Sequence, residues 1–313
     1  MIVTVTLNTS IDKAYRIEAP LACGEVQRVA QVIDVAGGKG LNAARAVKAC
    51  GAEIMATGFA GGNNGRLLCE LLDRDGVAHD FVEVAGETRC CINVLDPSGD
   101  STEFLEPGRP VTTDDFEALL TKVRLLAGQA DVVTIDGSVP AGLDAQAYVR
   151  LIELVKNLGR PVILDTSGTL LRVGAKALPT MVKPNADELA QLTGRPCNDL
   201  AQVVEAAQTL HATGIERVVV SLGADGAVMA CASGTFRGIA PKIDAVNPVG
   251  SGDTLVGAFA VAMERDMDDR EALAYAMAAA TANCLSPATG NFDPQVAEKL
   301  RSKTVVEKIA DEN

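Results

Sequence analysis

Two hydrophobic periods divide the chain. Residues 2–7 alternate and are β-branched, which predicts a strand, and residues 13–35 hold only short β-like pieces around a turn at Cys23-Gly24-Glu25. A helix over 41–50 closed by Gly51 follows, then a strand over 54–59 and a helix over 64–74. Further β-like pieces lie near 80–84, 90–95 and 101–105, separated by turns at 86–89 and 97–100. With 13–35 they predict a small sheet beside the main one. From about residue 112 the pattern becomes regular: helix 113–127, strand 131–135, loop 136–140, helix 144–157 and strand 161–164. Strand 181–182, a helix entered through 183–188, helix 199–212 and strand 216–221 come next; a hairpin over 226–239 and two helices end the pattern. Strands alternating with helices predict an α/β domain whose mostly parallel sheet is covered on both faces. The expected organisation is one domain over 1–313 with a discontinuous β lid from 13–35 and 80–106. Such sheets bind ligands beyond the carboxyl ends of their strands, and Ser138, Asn185, Ser221 and Gly223 all fall just after predicted strands.

The bulk composition narrows the partners. Among 313 residues, 48% are hydrophobic and the formal net charge is −13, which argues against nucleic acid or an anionic membrane as partner. An anionic substrate therefore needs a local cluster of cations. The β-branched start has no basic leader, and no apolar run is long and uncharged enough to span a bilayer. Eight scattered cysteines without a Cys-x-x-Cys pair, and only two histidines, give no zinc-ligand spacing, so a cytoplasmic chain with reduced thiols is expected.

Two glycine-bearing turns carry the candidate chemistry. Asn247-Pro-Val-Gly-Ser-Gly-Asp253 opens an apolar helical run. Gly250 and Gly252 permit a tight turn, and the helix start presents unpaired N–H groups and a positive dipole end to an anion. Asp253 reads either as a helix-capping carboxylate or as a base beside an anion hole. Gly37-Gly-Lys-Gly-Leu-Asn42 opens the helix over 41–50 and adds the cation Lys39. It is neither a Walker A loop nor a dinucleotide fingerprint, because the spacing and the Ser or Thr are missing. Asp12 follows the first strand in a polar cluster and reads as a ligand contact or a turn residue.

Four motifs in order support a resemblance over essentially the whole chain. The two turns above, Lys183-Pro-Asn185 with Glu188, and Ser221-Leu-Gly-Ala-Asp-Gly226 resemble the signatures of the PfkB (ribokinase-like) carbohydrate kinases. Asp12, Gly86-Glu-Thr-Arg89 and 247–253 are similar to its hexose-phosphate branch, most of all to tagatose-6-phosphate kinases and then to 1-phosphofructokinases. The resemblance implies a ribokinase-like α/β fold and transfer of the ATP γ-phosphoryl group to a hydroxymethyl of a ketohexose monophosphate. Tagatose 6-phosphate is the expected acceptor and fructose 1-phosphate the alternative.

It also implies roles. Asp253 would be the base, with the N–H groups of Gly250, Ser251 and Gly252 stabilising the transferring group. Asp12 and Asn42 would bind sugar hydroxyls against Gly37 and Gly38. Lys39 and Arg89 would hold the substrate's phosphate, with Arg28 and Ser138 beside them. Lys183, Asn185, Ser221, Gly223, Gly226 and Asn283 would line the ATP site, and Asn185 and Glu188 would act on Mg²⁺ through water. Arg28 reads equally as a surface charge and Glu188 as a first-turn carboxylate. A homodimer through the lid is implied as well. A kinase of a neutral sugar would waste Lys39 and Arg89, and a silent sugar-phosphate or nucleotide sensor would have no use for Asp253 among the anion-hole glycines.

Overall fold

A computed structural model describes residues 1–99 and 101–309. In chain order the first half contains β1 (Ile2–Thr6), β2 (Ser10–Ile17), β3 (Val29–Gly37), α1 (Lys39–Ala49), β4 (Ile54–Gly61) and α2 (Gly62–Asp75). Then come β5 (Ala78–His79), β6 (Val82–Val84), β7 (Arg89–Leu95), β8 (Ser101–Leu105), α3 (Thr113–Gln129) and β9 (Val132–Asp136). The second half holds α4 (Gln146–Asn157), β10 (Val162–Asp165), α5 (Gly168–Gly174), β11 (Met181–Val182), α6 (Ala186–Thr193), α7 (Leu200–His211) and β12 (Arg217–Ser221). It ends with β13 (Ala227–Cys231), β14 (Gly234–Ile239), α8 (Ser251–Glu264), α9 (Asp269–Cys284), α10 (Pro294–Arg301) and β15 (Val305–Ile309).

The main sheet runs β15-β14-β13-β12-β11-β10-β9-β1-β4-β5, with β6 also on β4. It is parallel from β5 to β12 and antiparallel from β12 to β15. β1 pairs with both β4 and β9, so Thr6 lies opposite Gly58 on one side and Asp136 on the other. Two hydrophobic cores flank the sheet. One collects α1, α2, α8 and α9 with Ile2 and Val132; the other collects α3, α4 and α7 with Val3, Val5, Val133 and Ile135. Strand alternation therefore turns Thr4, Thr6, Thr134 and Asp136, all buried, toward the face covered by α1 and α8. That face is where the chemistry gathers.

Helices α1 and α8 meet closely because of Gly257. A Cβ there would stand 2.5 Å from the Ala43 carbonyl oxygen and 3.1 Å from the Ala46 Cβ. Close helix approach brings the starts of α1 and α8, the two glycine-bearing motifs, side by side.

A separate four-stranded sheet, β3-β2-β7-β8, stands apart from the main one. Its composition corrects the expected assignment of 80–84. Val82, Glu83 and Val84 pair in parallel with Phe59, Ala60 and Gly61 of β4, so this piece extends the main sheet. Asp12 belongs to β2, opposite Val35 and Cys91, and not to a turn after β1. The small sheet leaves Val32, Ile33, Phe104 and Leu105 exposed.

Candidate active site

The site assembles where β9, β10 and β11 end and where α1 and α8 begin. Gly250 adopts the left-handed conformation, φ 75°, that starts α8, and a Cβ on it would overlap the Thr289 methyl. The Ser251 N–H turns back to the Pro248 carbonyl at 3.3 Å. The N–H groups of Gly252 and Asp253 have no acceptor among the described residues and remain as donors at the positive end of α8. Of the three N–H groups expected to serve an anion, that of Ser251 is thus already engaged.

Asp253 is 8% exposed, and its Oδ2 accepts a 2.7 Å hydrogen bond from Asn42 Nδ2. Burial pushes the Asp253 pKa above the ordinary carboxylate range and Asp165 adds to this; Lys39, Asn42 and Lys183 oppose them. Lys39 Nζ lies 3.3 and 3.4 Å from the two oxygens of Asp165, and Lys183 Nζ lies 3.4 Å from Asp165 Oδ1. Two ammonium groups therefore share one buried carboxylate beside Asp253. Burial works against the charge on Lys39, but Asp165, Asp253 and Glu188 together hold its pKa above the usual value.

Asp136 completes the acidic group. It is fully buried, and its Oδ2 accepts from the Thr134 hydroxyl at 2.5 Å. Burial first, then Asp165, drives its pKa well above the ordinary value. Gly40 makes room here, since a Cβ on it would overlap Thr6 Oγ1 and come 3.0 Å from Asp136 Oδ2.

On the small-sheet side, Asp12 Oδ1 accepts from Ser10 Oγ at 2.6 Å. A Cβ on Gly37 would overlap the whole Asp12 carboxylate, so this glycine is what lets Asp12 lie against the turn. Gly38 has φ 118°, and a Cβ there would meet the Thr6 methyl at 2.8 Å. The Arg89 guanidinium donates through Nε and Nη2 to the Asn8 carbonyl at 3.3 and 3.1 Å, and through Nη1 to the Glu106 carbonyl at 2.9 Å. The Asn8 side chain in turn donates to Ser138 Oγ at 3.0 Å and to the Pro107 carbonyl at 3.3 Å. Arg28 is exposed just before β3 and has no hydrogen bond or ion pair among the described residues.

Lys39 and Arg89, expected together at the sugar's phosphate, are held by different partners. Lys39 belongs to the Asp165–Asp253 group, whereas Arg89 is fixed to Asn8 and Glu106 and sits in the field of Asp12. The reason is topological: Lys39 begins α1, facing the ends of the main-sheet strands, while Arg89 begins β7 of the small sheet.

At the far end, Asn185 caps α6. Its Oδ1 accepts from the Glu188 N–H at 2.8 Å, and Glu188 Oε2 accepts from the Asn185 N–H at 2.9 Å. The first-turn reading of Glu188 holds, and because the cap uses Oε2 it leaves Oε1 without a hydrogen bond among the described residues. No group of three His, Cys, Asp or Glu able to hold a metal occurs among the described residues. One free carboxylate oxygen fits a magnesium ion carried mainly by phosphates and water. Asn185 bridges to Ser221, and the Leu222 N–H donates to the Gly226 carbonyl at 2.9 Å to close the following loop. Gly223 and Gly226 have φ 60° and 96°, and a Cβ on Gly226 would overlap the Gly238 carbonyl. Lys183 is buried with its ammonium on Asp165. Asn283 is wholly buried, donating to the Val249 carbonyl at 3.0 Å and accepting from the Gly290 N–H at 2.7 Å, so it ties together the two loops at the start of α8.

Asn8, Arg45, Asp136 and Asp165 were not among the expected site residues. The two acids had a readable signal, each being the last residue of a strand on the ligand-bearing edge of a parallel sheet. Arg45 is a single cation on the otherwise apolar face Leu41-Ala44-Arg45 of α1.

These features agree with what the chain is similar to. The family model for the pfkB family carbohydrate kinases matches residues 5–296. Phosphofructokinase-2 from Escherichia coli, solved in complex with substrates and products, superposes with a TM-score of 0.91 at 30% identity, covering 96% of this chain and 98% of that one. A possible 1-phosphofructokinase from Thermotoga maritima superposes with a TM-score of 0.86 at 26% identity over 99% and 100%. Ribokinase from Arabidopsis thaliana, solved with ribose and ATP, gives 0.79 at 25% identity over 96% and 98%. The α/β architecture with its small separate sheet is therefore ribokinase-like, and the chain belongs to the PfkB family of carbohydrate kinases, as an ATP-dependent sugar kinase.

Proposed function

We propose that this kinase phosphorylates a hydroxymethyl of a ketohexose monophosphate, and that tagatose 6-phosphate, converted to the 1,6-bisphosphate, is its substrate. The observation that carries the reading is the Asn42–Asp253 contact of 2.7 Å at the start of α8, beside the Lys39–Asp165–Lys183 group. The sugar lies between Asp12 and Asn42, against Gly37 and Gly38. Asp253 Oδ2 is engaged by Asn42, which leaves Oδ1 to take the proton of the attacking hydroxyl. Lys39, Lys183 and the Gly252 and Asp253 N–H groups balance charge on the phosphoryl group in transit. Mg²⁺, when bound with ATP, would supply charge neutralisation at the phosphates, and Asn185 and Glu188, which leaves Oε1 outside the cap, would hold its waters. Ser221, Gly223 and Gly226 shape the nucleotide edge.

Arg89, with Ser138 held beside it through Asn8, receives the phosphate already on the sugar; Arg28 lies at the other end of β2 and β3, next to the Val29–Ile17 pair, away from Arg89. The small sheet closes over the sugar as a lid that excludes water. Its exposed Val32, Ile33, Phe104 and Leu105 suit pairing with a second copy. Eight free thiols and a reaction that draws on ATP suit the cytoplasm.

Tagatose 6-phosphate is favoured by the likeness of Asp12, 86–89 and 247–253 to tagatose-6-phosphate kinases. A second reading, fructose 1-phosphate or fructose 6-phosphate, draws on the solved relatives: one is a possible 1-phosphofructokinase and another is phosphofructokinase-2 in complex with fructose-6-phosphate. Comparing kcat/KM for the three sugars decides. A tenfold preference for either fructose phosphate replaces tagatose 6-phosphate, and no turnover of any of them removes the ketohexose-phosphate assignment.

A further inference from the structure

Arg45 is 8% exposed and carries four hydrogen bonds to four parts of the fold. Nη1 donates to the Ala36 carbonyl at 2.8 Å, at the root of β3, and to Asp75 Oδ2 at 3.4 Å, at the end of α2. Nε donates to the Thr289 carbonyl at 3.1 Å. Nη2 donates to Asn42 Oδ1, and the other end of the same amide holds Asp253. The Thr289 contact matters because the Thr289 methyl is the group that packs on Gly250 at the start of α8.

The decisive feature is chemical. A guanidinium donates and never accepts, so only the carbonyl end of the Asn42 amide can face Arg45. The NH2 end must then face the Asp253 carboxylate. If the amide turned over, two oxygens would confront each other across the base, and the carboxylate would lose its donor. We propose that Arg45 is a positioning residue for phosphoryl transfer: it locks the Asn42 amide in the orientation that keeps Asp253 ionised and turned for proton abstraction. The proposal rests on Asp253 being the base.

The charges around Asp253 do not substitute for that lock. Asp165 at the end of β10 and Asp136 at the end of β9 disfavour its ionised form, while Lys39, Lys183 and Arg45 itself favour it. Replacing Arg45 by lysine preserves a cation but supplies only one nitrogen, which cannot reach Ala36, Thr289 and Asn42 together. Arg45→Lys therefore separates orientation from charge.

The test is the pH profile of kcat/KM for the sugar phosphate, from pH 5 to 9. A base loses activity as pH falls through its pKa, so a carboxylate deprived of its donor moves the acid limb to higher pH. Arg45→Lys should shift that limb up by about one pH unit and cost roughly tenfold in rate below it, with the KM for ATP unchanged. Asn42→Ala should shift the limb in the same direction, and adding Arg45→Lys to Asn42→Ala should move it no further. If Arg45→Lys folds poorly, as judged by lost ATP binding, Arg45→Gln takes its place and is read only against Asn42→Ala, because it also removes the charge: a shift that persists in the Asn42→Ala background is a charge effect and overturns the proposal. Activity lowered equally at every pH with the limb in place, or a second shift in the Asn42→Ala background, overturns the proposal. Asp253→Asn is the control: a variant that keeps the acid limb removes Asp253 as the base, which is a separate failure.

Discussion

Gly37→Ala tests the sugar contact through a single added methyl. Gly37 does not have a left-handed φ, so alanine fits its backbone, and in a strand it removes some of the conformational freedom that glycine loses on folding. Its Cβ, however, would overlap the carboxyl carbon and both oxygens of Asp12. Asp12 has a short side chain, is half-buried, and holds one hydrogen bond from Ser10 at 2.6 Å, so it must rotate away and give up that bond. The sugar hydroxyl proposed to face it then loses a hydrogen bond to a charged group. Such a bond is worth about 1.5–3 kcal/mol, or roughly 10- to 150-fold in kcat/KM. Steady-state kinetics should show that loss for the sugar phosphate while the KM for ATP stays put, and thermal unfolding should show no large drop in Tm. A sugar-phosphate kcat/KM within twofold of the parent would refute the role of Asp12.

Arg89→Ala should raise the KM for the sugar phosphate by roughly 10- to 150-fold, the worth of a charge-assisted phosphate contact. A raised KM for ATP with the sugar-phosphate KM unchanged would place Arg89 at the other end of the site. Asp136→Asn should raise Tm relative to the parent, and by more at pH 8 than at pH 5. Burial and Asp165 raise the folded-state pKa of Asp136, so its stabilising contribution is complete below the unfolded value and is lost as pH rises through the folded one. Asparagine carries no charge at either pH and can still accept from Thr134; a Tm difference that is the same at both would contradict the buried-acid account.

Periodicity made the main architecture legible. The alternation in 2–7 and the regular strand–helix succession after residue 112 correspond to β1 and to the run from α3 to β14. The short elements α5 and β15, of seven and five residues, were not legible, being too few for a period to stand out from its neighbours, whereas β6, with three, read as β-like but carried no sign of its partner. β6 joined β4 because pairing partners are chosen by tertiary proximity, which local pattern does not encode. The glycine-bearing turns were readable because their spacing is a backbone requirement. The side chains behind them were not, since Asp165, 126 residues from Lys39, and Arg45, 244 residues from Thr289, acquire partners only through the fold. Lys39 shows the limit most clearly: its charge was evident, but which anion it faces depended on where β10 ends.

The central claim is that Asp253 takes the proton of the attacking hydroxyl. Asp253→Asn keeps the shape of the side chain at the start of α8 and removes its ability to act as a base. Measured together, kcat and the equilibrium binding of ATP and sugar phosphate test the claim directly. kcat should fall by roughly 10²-fold or more while both ligands still bind; a variant that retains more than half the parent kcat would contradict Asp253 as the base.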